Sequence, residues 1–202
     1  RGQHQPVINA IRAQGANNII VIDDTQAGQG ASDWWSIGES PASDSGILTA
    51  GPQLVDPASR LVFSVHAYDV WGFASDDDPS CRNRYTDAQR DARFASYVDR
   101  VHALGLPLMI GEVGFRPTDK PTSGVGYHGE AGGQPPCGST MLLAAETVYR
   151  VAPARRLGVL VWHGFDLTTD GAQAWTLKGN PPANLTHMGE MHYQYVRQLG
   201  LR

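Results

Sequence analysis

The chain has 202 residues, 41% of them hydrophobic, and a formal net charge of −4, which is enough apolar content for a sizeable core in a single compact domain. Acids and bases are interspersed without a basic stripe, so nucleic acid is not an expected partner. No stretch reaches the length of uncharged apolar sequence that spans a membrane, so no membrane partner is expected either.

In chain order, residues 6–14 carry apolar side chains at helical spacing, with Pro6 suited to a first turn and Gly15 to a helix end. Residues 19–24 (Ile-Ile-Val-Ile-Asp-Asp) are an apolar run closed by two acids, the pattern of a strand covered on both faces. Residues 39–51, rich in Ser, Gly and Pro, give the faintest helical pattern of the chain. A second apolar run over residues 61–68 ends in His66, Ala67 and Tyr68. Residues 85–104 place Ala88, Ala92, Ala95, Tyr97, Val98, Val101 and Leu104 on one helical stripe, with Asp87, Arg90, Asp91, Arg93 and Asp99 elsewhere. A third run covers 106–115, a helix is expected over 139–151, and a fourth run over 157–163 ends in Trp162 and His163. A last helix over 188–199 precedes Gly200. One helix followed by four strand–helix units predicts an α/β fold with a parallel sheet, in one domain spanning residues 1–202.

Within the third run, Gly111 and Gly114 bracket Glu112 and leave the acid uncrowded at a strand's C-terminal end. In α/β barrels that end builds the chemistry, whereas the opposite end mainly serves stability. The plainer alternative is a solvated acid at a strand-to-loop junction. Cys81 and Cys137 both fall in long loops after successive strands, open to a disulfide or to two separate thiols. No CxxC or HExxH spacing occurs, so neither metal nor another cofactor is expected. Residue 1 is arginine, with no methionine or signal peptide, as expected of a processed product or a piece of something longer.

The ordered set of Ile-Arg-Ala-x-Gly (11–15), Ile-Ile-Val-Ile (19–22), Val-Phe-Ser-Val-His-Ala-Tyr (62–68), Leu-Pro-Leu-Met-Ile-Gly-Glu-Val-Gly (106–114) and Gly-Val-Leu-Val-Trp (158–162) resembles the C-terminal half of glycoside hydrolase family five. That family contains cellulases and endo-β-mannanases. The resemblance covers nearly the whole chain and implies strands five to eight of a (β/α)8 TIM barrel, a half-barrel from a secreted retaining β-1,4-glycanase. It implies that Glu112 is the nucleophile, that His66 and Tyr68 line the cleavage subsite and hydrogen-bond the nucleophile, and that Trp162 is a platform for the sugar. Trp34, Trp35, Trp71 and Trp175 lie in loops expected at the same end, so an aromatic-lined cleft for polysaccharide or oligosaccharide is expected, with Trp34 among its binding residues. A Cys81–Cys137 disulfide fits the extracellular setting.

The family's Asn-Glu-Pro motif, which carries the acid/base, does not occur here, and the sequence has no Asn-Glu pair. Asp23 and Asp24 end the first strand and could approach the cleft, though spacing assigns neither to the acid's place. Four parallel strands alone would leave two unpaired edges, which invite pairing with another chain. A homodimer, or pairing with a missing half-barrel, is therefore expected. Two other functions fit less of the pattern. One is a non-catalytic saccharide-binding or assembling half-barrel. The other is a doubly wound nucleotide-binding domain, for which Gly28-Gln29-Gly30 lacks the remaining glycine spacing.

Overall fold

The computed structural model describes residues 2–25, 28, 45–67, 86–114, 140–162 and 187–200. Helix α1 (His4–Ala13) leads into β1 (Ile20–Asp23), followed by a short helix α2 (Gly46–Ala50) continued by a 3-10 turn at Gly51–Gln53. Then come β2 (Leu61–Ala67), α3 (Asp87–Ala103), β3 (Leu108–Val113), α4 (Thr140–Arg155), β4 (Gly158–Val161) and α5 (His187–Gln198). The four strands form one sheet in the order β1-β2-β3-β4, and every neighbouring pair is parallel. This is the α/β half-barrel order that the sequence predicts.

Local chemistry explains most boundaries. Helix α3 starts at a capping box, in which the Thr86 hydroxyl accepts from the Gln89 N–H at 3.3 Å and the Gln89 side chain accepts from the Thr86 N–H at 2.8 Å. Helix α4 runs past the expected end at residue 151, through Pro153 to Arg155. Proline there removes one donor from the final turn. Arg155 holds that turn to α3 through a 2.8 Å pair with Asp99, and Arg150, earlier in α4, pairs with Asp91 of α3 at 2.8 Å.

The sheet has two unlike faces. Ile22, Phe63, Val65, Ala67, Leu108, Ile110, Val113 and Val159 lie on the face packed under the helices, in one cluster with Phe94, Val98 and Val101 of α3 and Ala144, Ala145 and Val148 of α4. The opposite, more open face is covered unevenly, with Ser64 1% exposed. Val21 is 52% exposed and Leu160 56%, and among the described residues no strand pairs with the outer edge of β1 or of β4.

Candidate functional site

Asp23, His66 and Glu112 meet at the C-terminal ends of three adjacent strands, on the open face. Strict alternation would not bring Glu112 there: Leu108 and Ile110 face the helices, so an even strand would send Glu112 the same way. The register between β2 and β3 shifts after Val65, so that Ile110 pairs with Val65 but Glu112, not Gly111, pairs with His66. That extra residue re-aims the acid, as bulges do. Glycine is needed at the shift because a Cβ on Gly111 would lie 2.1 Å from the Ser64 hydroxyl oxygen.

His66 sits between two acids, its Nδ1 3.4 Å from Glu112 Oε2 and its Nε2 3.4 Å from Asp23 Oδ1. Its ring is largely covered, with the side chain 12% exposed against 28% for Glu112 and 54% for Asp23. These are ion-pair distances rather than short hydrogen bonds, and catalytic contacts commonly tighten when substrate binds. Gly28 lies against the ring. Its carbonyl accepts the His66 backbone N–H at 2.8 Å, its φ is +81°, and a Cβ there would come within 2.5 Å of the imidazole carbons.

The neighbouring acid turns the other way. Asp24 is buried, accepting from the Thr25 N–H at 2.8 Å, the Ile47 N–H at 3.2 Å and the Ser45 hydroxyl at 3.1 Å. Since Ser45 gives its one hydrogen to Asp24, the Tyr97 hydroxyl donates to Ser45 across 3.2 Å. Burial pushes the Asp24 carboxyl above the ordinary aspartate range, opposed by these hydrogen bonds. Asp24 therefore anchors α2, and of the two strand-end acids only Asp23 reaches the cleft.

Trp162 directly follows β4, its N–H bonded to the Val113 carbonyl at 2.9 Å, and it is 51% exposed. Its backbone thus stands beside Val113 and Gly114, next to the strand end that carries Glu112. Tyr68, Trp34, Trp35, Trp71, Trp175, Cys81 and Cys137 lie outside the described residues. A cavity of about 270 Å³ opens at the β1 edge, lined by His4, Ile22, Asp23, Ile47 and Phe63 among others. It adjoins Asp23 but does not include Glu112. Among the described residues no cluster of three or more His, Cys, Asp or Glu is placed to hold a metal. The sequence offered Asp23 and Asp24 together as acids that could approach the cleft without choosing between them, and it gave Gly28 no role beside His66. The signal was present in the strand parity that sends residues 23 and 24 to opposite faces.

A partly exposed carboxylate at a parallel strand's C-terminal end, beside an imidazole and near an exposed tryptophan, is the kind of site that β/α barrels carry on that face. A family profile described as Cellulase (glycosyl hydrolase family 5) matches residues 2–132, and the chain belongs to that family. The match includes Asp23, His66 and Glu112. It stops short of Trp162. Over 112 residues the chain is 33% identical to a beta-mannanase/endoglucanase A of Caldicellulosiruptor saccharolyticus, a stretch covering 55% of this chain and 6% of that protein. A beta-mannanase from Streptomyces thermolilacinus is similar in structure at a TM-score of 0.54 and 25% identity, over 96% of this chain and 50% of that one. An endo-beta-1,4-glucanase from Xanthomonas axonopodis pv. citri, solved with a triple mutation, is similar at 0.58 and 19% identity, over 98% and 54%. The chain thus spans about half the length of these solved barrels and a small part of the longer relative.

Proposed function

We propose that this chain supplies the nucleophile half of a secreted, retaining β-1,4-glycanase acting on mannan or cellulose. The observation that carries the reading is the register shift that turns Glu112 to the open face, 3.4 Å from His66. In the retaining reaction a Glu112 oxygen forms a bond to the anomeric carbon as the glycosidic C–O bond breaks. A second carboxylic acid, roughly 5–5.5 Å away in enzymes of this kind, protonates the departing oxygen and then activates the water that releases the sugar. The Trp162 face offers stacking area to a pyranose ring, and Tyr68 and Trp34 complete the binding surface. The names of the similar proteins include both mannanase and endoglucanase, so both polymers remain within the proposal.

The acid comes from a partner half. The open edges of β1 and β4 and the exposed Val21 and Leu160 favour pairing of two copies, or of this chain with another half-barrel, through an interface of roughly 2,000 Å² or more. Sedimentation at micromolar concentration is expected to show a dimer or larger species, and a compact monomer alone would defeat the pairing. A half that assembled saccharide-binding surface without catalysis would pair equally well, so chemistry decides between the two.

General acid catalysis contributes about 10²–10⁴-fold, and an activated aryl leaving group needs little of it. A 2-fluoro aryl glycoside is therefore expected to add its sugar mass to the peptide carrying Glu112, and Glu112→Gln to abolish the addition. Hydrolysis of mannan or cellulose at ordinary enzyme rates that survives Glu112→Gln would sink the assignment.

A further inference from the structure

We infer that Asp23 is a positioning residue, which holds the His66 ring from the side opposite Glu112 and so fixes the direction of the Glu112 carboxylate; this rests on the glycosidase reading only for its kinetic consequence. Asp23 closes β1, where it stands opposite Ser64, two residues along β2 from His66 and on the same face. Its Oδ1 lies 3.4 Å from Nε2 while Glu112 Oε2 lies 3.4 Å from Nδ1. The ring thus bridges β1 and β3 across β2.

The bridge selects one orientation of the imidazole. A half-turn about the Cβ–Cγ bond exchanges each nitrogen with a carbon, and the flipped ring would present C–H groups to both acids. That flip would lose both the Glu112 contact at Nδ1 and the Asp23 contact at Nε2. Gly28 closes a third side, since its Cα packs against the ring where a Cβ would lie within 2.5 Å of the imidazole carbons. Asp23 is itself aimed. The Asp24 carboxylate is tied to the Thr25 and Ile47 N–H groups and to Ser45, so the backbone at the end of β1 is fixed and strand alternation leaves Asp23 facing the cleft. An acid held only by solvent would have no such fixed orientation at a second titratable group.

The test compares Asp23→Leu, which removes the acceptor at similar size, with Asp23→Asn, which keeps an oxygen for the Nε2 hydrogen. Asp23 is 54% exposed on its side chain, so neither change removes core packing. The full chain labelled with nitrogen-15 gives a His66 imidazole signal, identified by its loss in His66→Gln. The His66 ring-nitrogen signals are expected to stay close to those of the natural protein in Asp23→Asn and to move in Asp23→Leu, where the acceptor facing Nε2 is gone. The rate of Glu112 modification by the 2-fluoro aryl glycoside is expected to fall about tenfold to hundredfold in Asp23→Leu, the range that misplacement of a reacting group produces. The half-saturating concentration should hold, and Asp23→Asn should restore most of the rate. Gly28→Ala should lower the rate in the same direction. An Nε2 signal unchanged in Asp23→Leu overturns the inference. Should the natural protein show no modification of Glu112, the glycosidase reading fails, while the ring signal still decides whether Asp23 holds His66.

Discussion

The helix-covered and open faces of the same four strands follow different rules. On the covered face of β2, Phe63, Val65 and Ala67 alternate without interruption and are 2% exposed or less, as a close-packed core favours. In β3 the alternation is broken once, at Gly111 and Glu112, which sets the covered residues Ile110 and Val113 three apart and delivers an acid on the open face to the histidine of the neighbouring strand. Stability and chemistry are thus divided between two sides of a sheet one residue thick.

Emptying the covered face should have the largest effect on folding. Phe94→Ala removes a fully buried ring and is expected to cost about 3–5 kcal/mol, read as a lower denaturant midpoint at constant slope. A loss below about 1 kcal/mol would mean that α3 does not cap the core as described. The break itself is the next target. Gly111→Ala places a Cβ 2.1 Å from the Ser64 hydroxyl oxygen, an overlap expected to cost about 1–3 kcal/mol and to displace Glu112. Stability should therefore suffer less than in Phe94→Ala and Glu112 modification more; wild-type behaviour in both would deny the close approach.

Asp24 sets apart the anchoring acid from the cleft acid. Its carboxyl is raised by burial, so the folded protein keeps that proton to higher pH than the unfolded chain. Its contribution to stability is present below the ordinary aspartate value and is lost as pH rises through the folded, raised one. The difference in unfolding free energy between the natural protein and Asp24→Asn should follow that trend across the acid range. A difference that is flat, or that grows with pH, would remove the assignment. The smallest folding effect is expected for Trp162→Ala, within about 0.5 kcal/mol because the side chain is half exposed. Oligosaccharide affinity should nevertheless fall about threefold to tenfold, the worth of an aromatic contact of about 0.5–1.5 kcal/mol. Calorimetric titration showing unchanged affinity would take Trp162 out of the cleft.

Much of the fold was legible because each strand is an apolar run covered by helices and each long helix has a stripe. The expected run at 61–68 starts where β2 (Leu61–Ala67) starts, and the run at 157–163 differs from β4 (Gly158–Val161) by one residue at its start and two at its end, the scatter usual for element ends. The end of α4 was less legible, since Pro153 reads as a stop while its ion-paired final turn continues. At the site, Glu112 and His66 could be singled out from residue type, bracketing glycines and family resemblance. Their proximity followed from the resemblance alone, and the register shift that produces it could not be read from the residues.

The sequence by itself determined the order of elements, the parallel sheet, the membership in a barrel family and the presence of an acid at the third strand's end, because hydrophobic period and local turn chemistry are written in neighbouring residues. Only the tertiary structure decided how Glu112 is turned toward His66, that Asp23 rather than Asp24 joins them, and that Gly28 lies against the ring. Those relations depend on a register shift between strands about 45 residues apart and on buried polar bonds among Asp24, Ser45 and Tyr97, and a one-residue change of register exchanges the two faces of a strand without altering a single local preference.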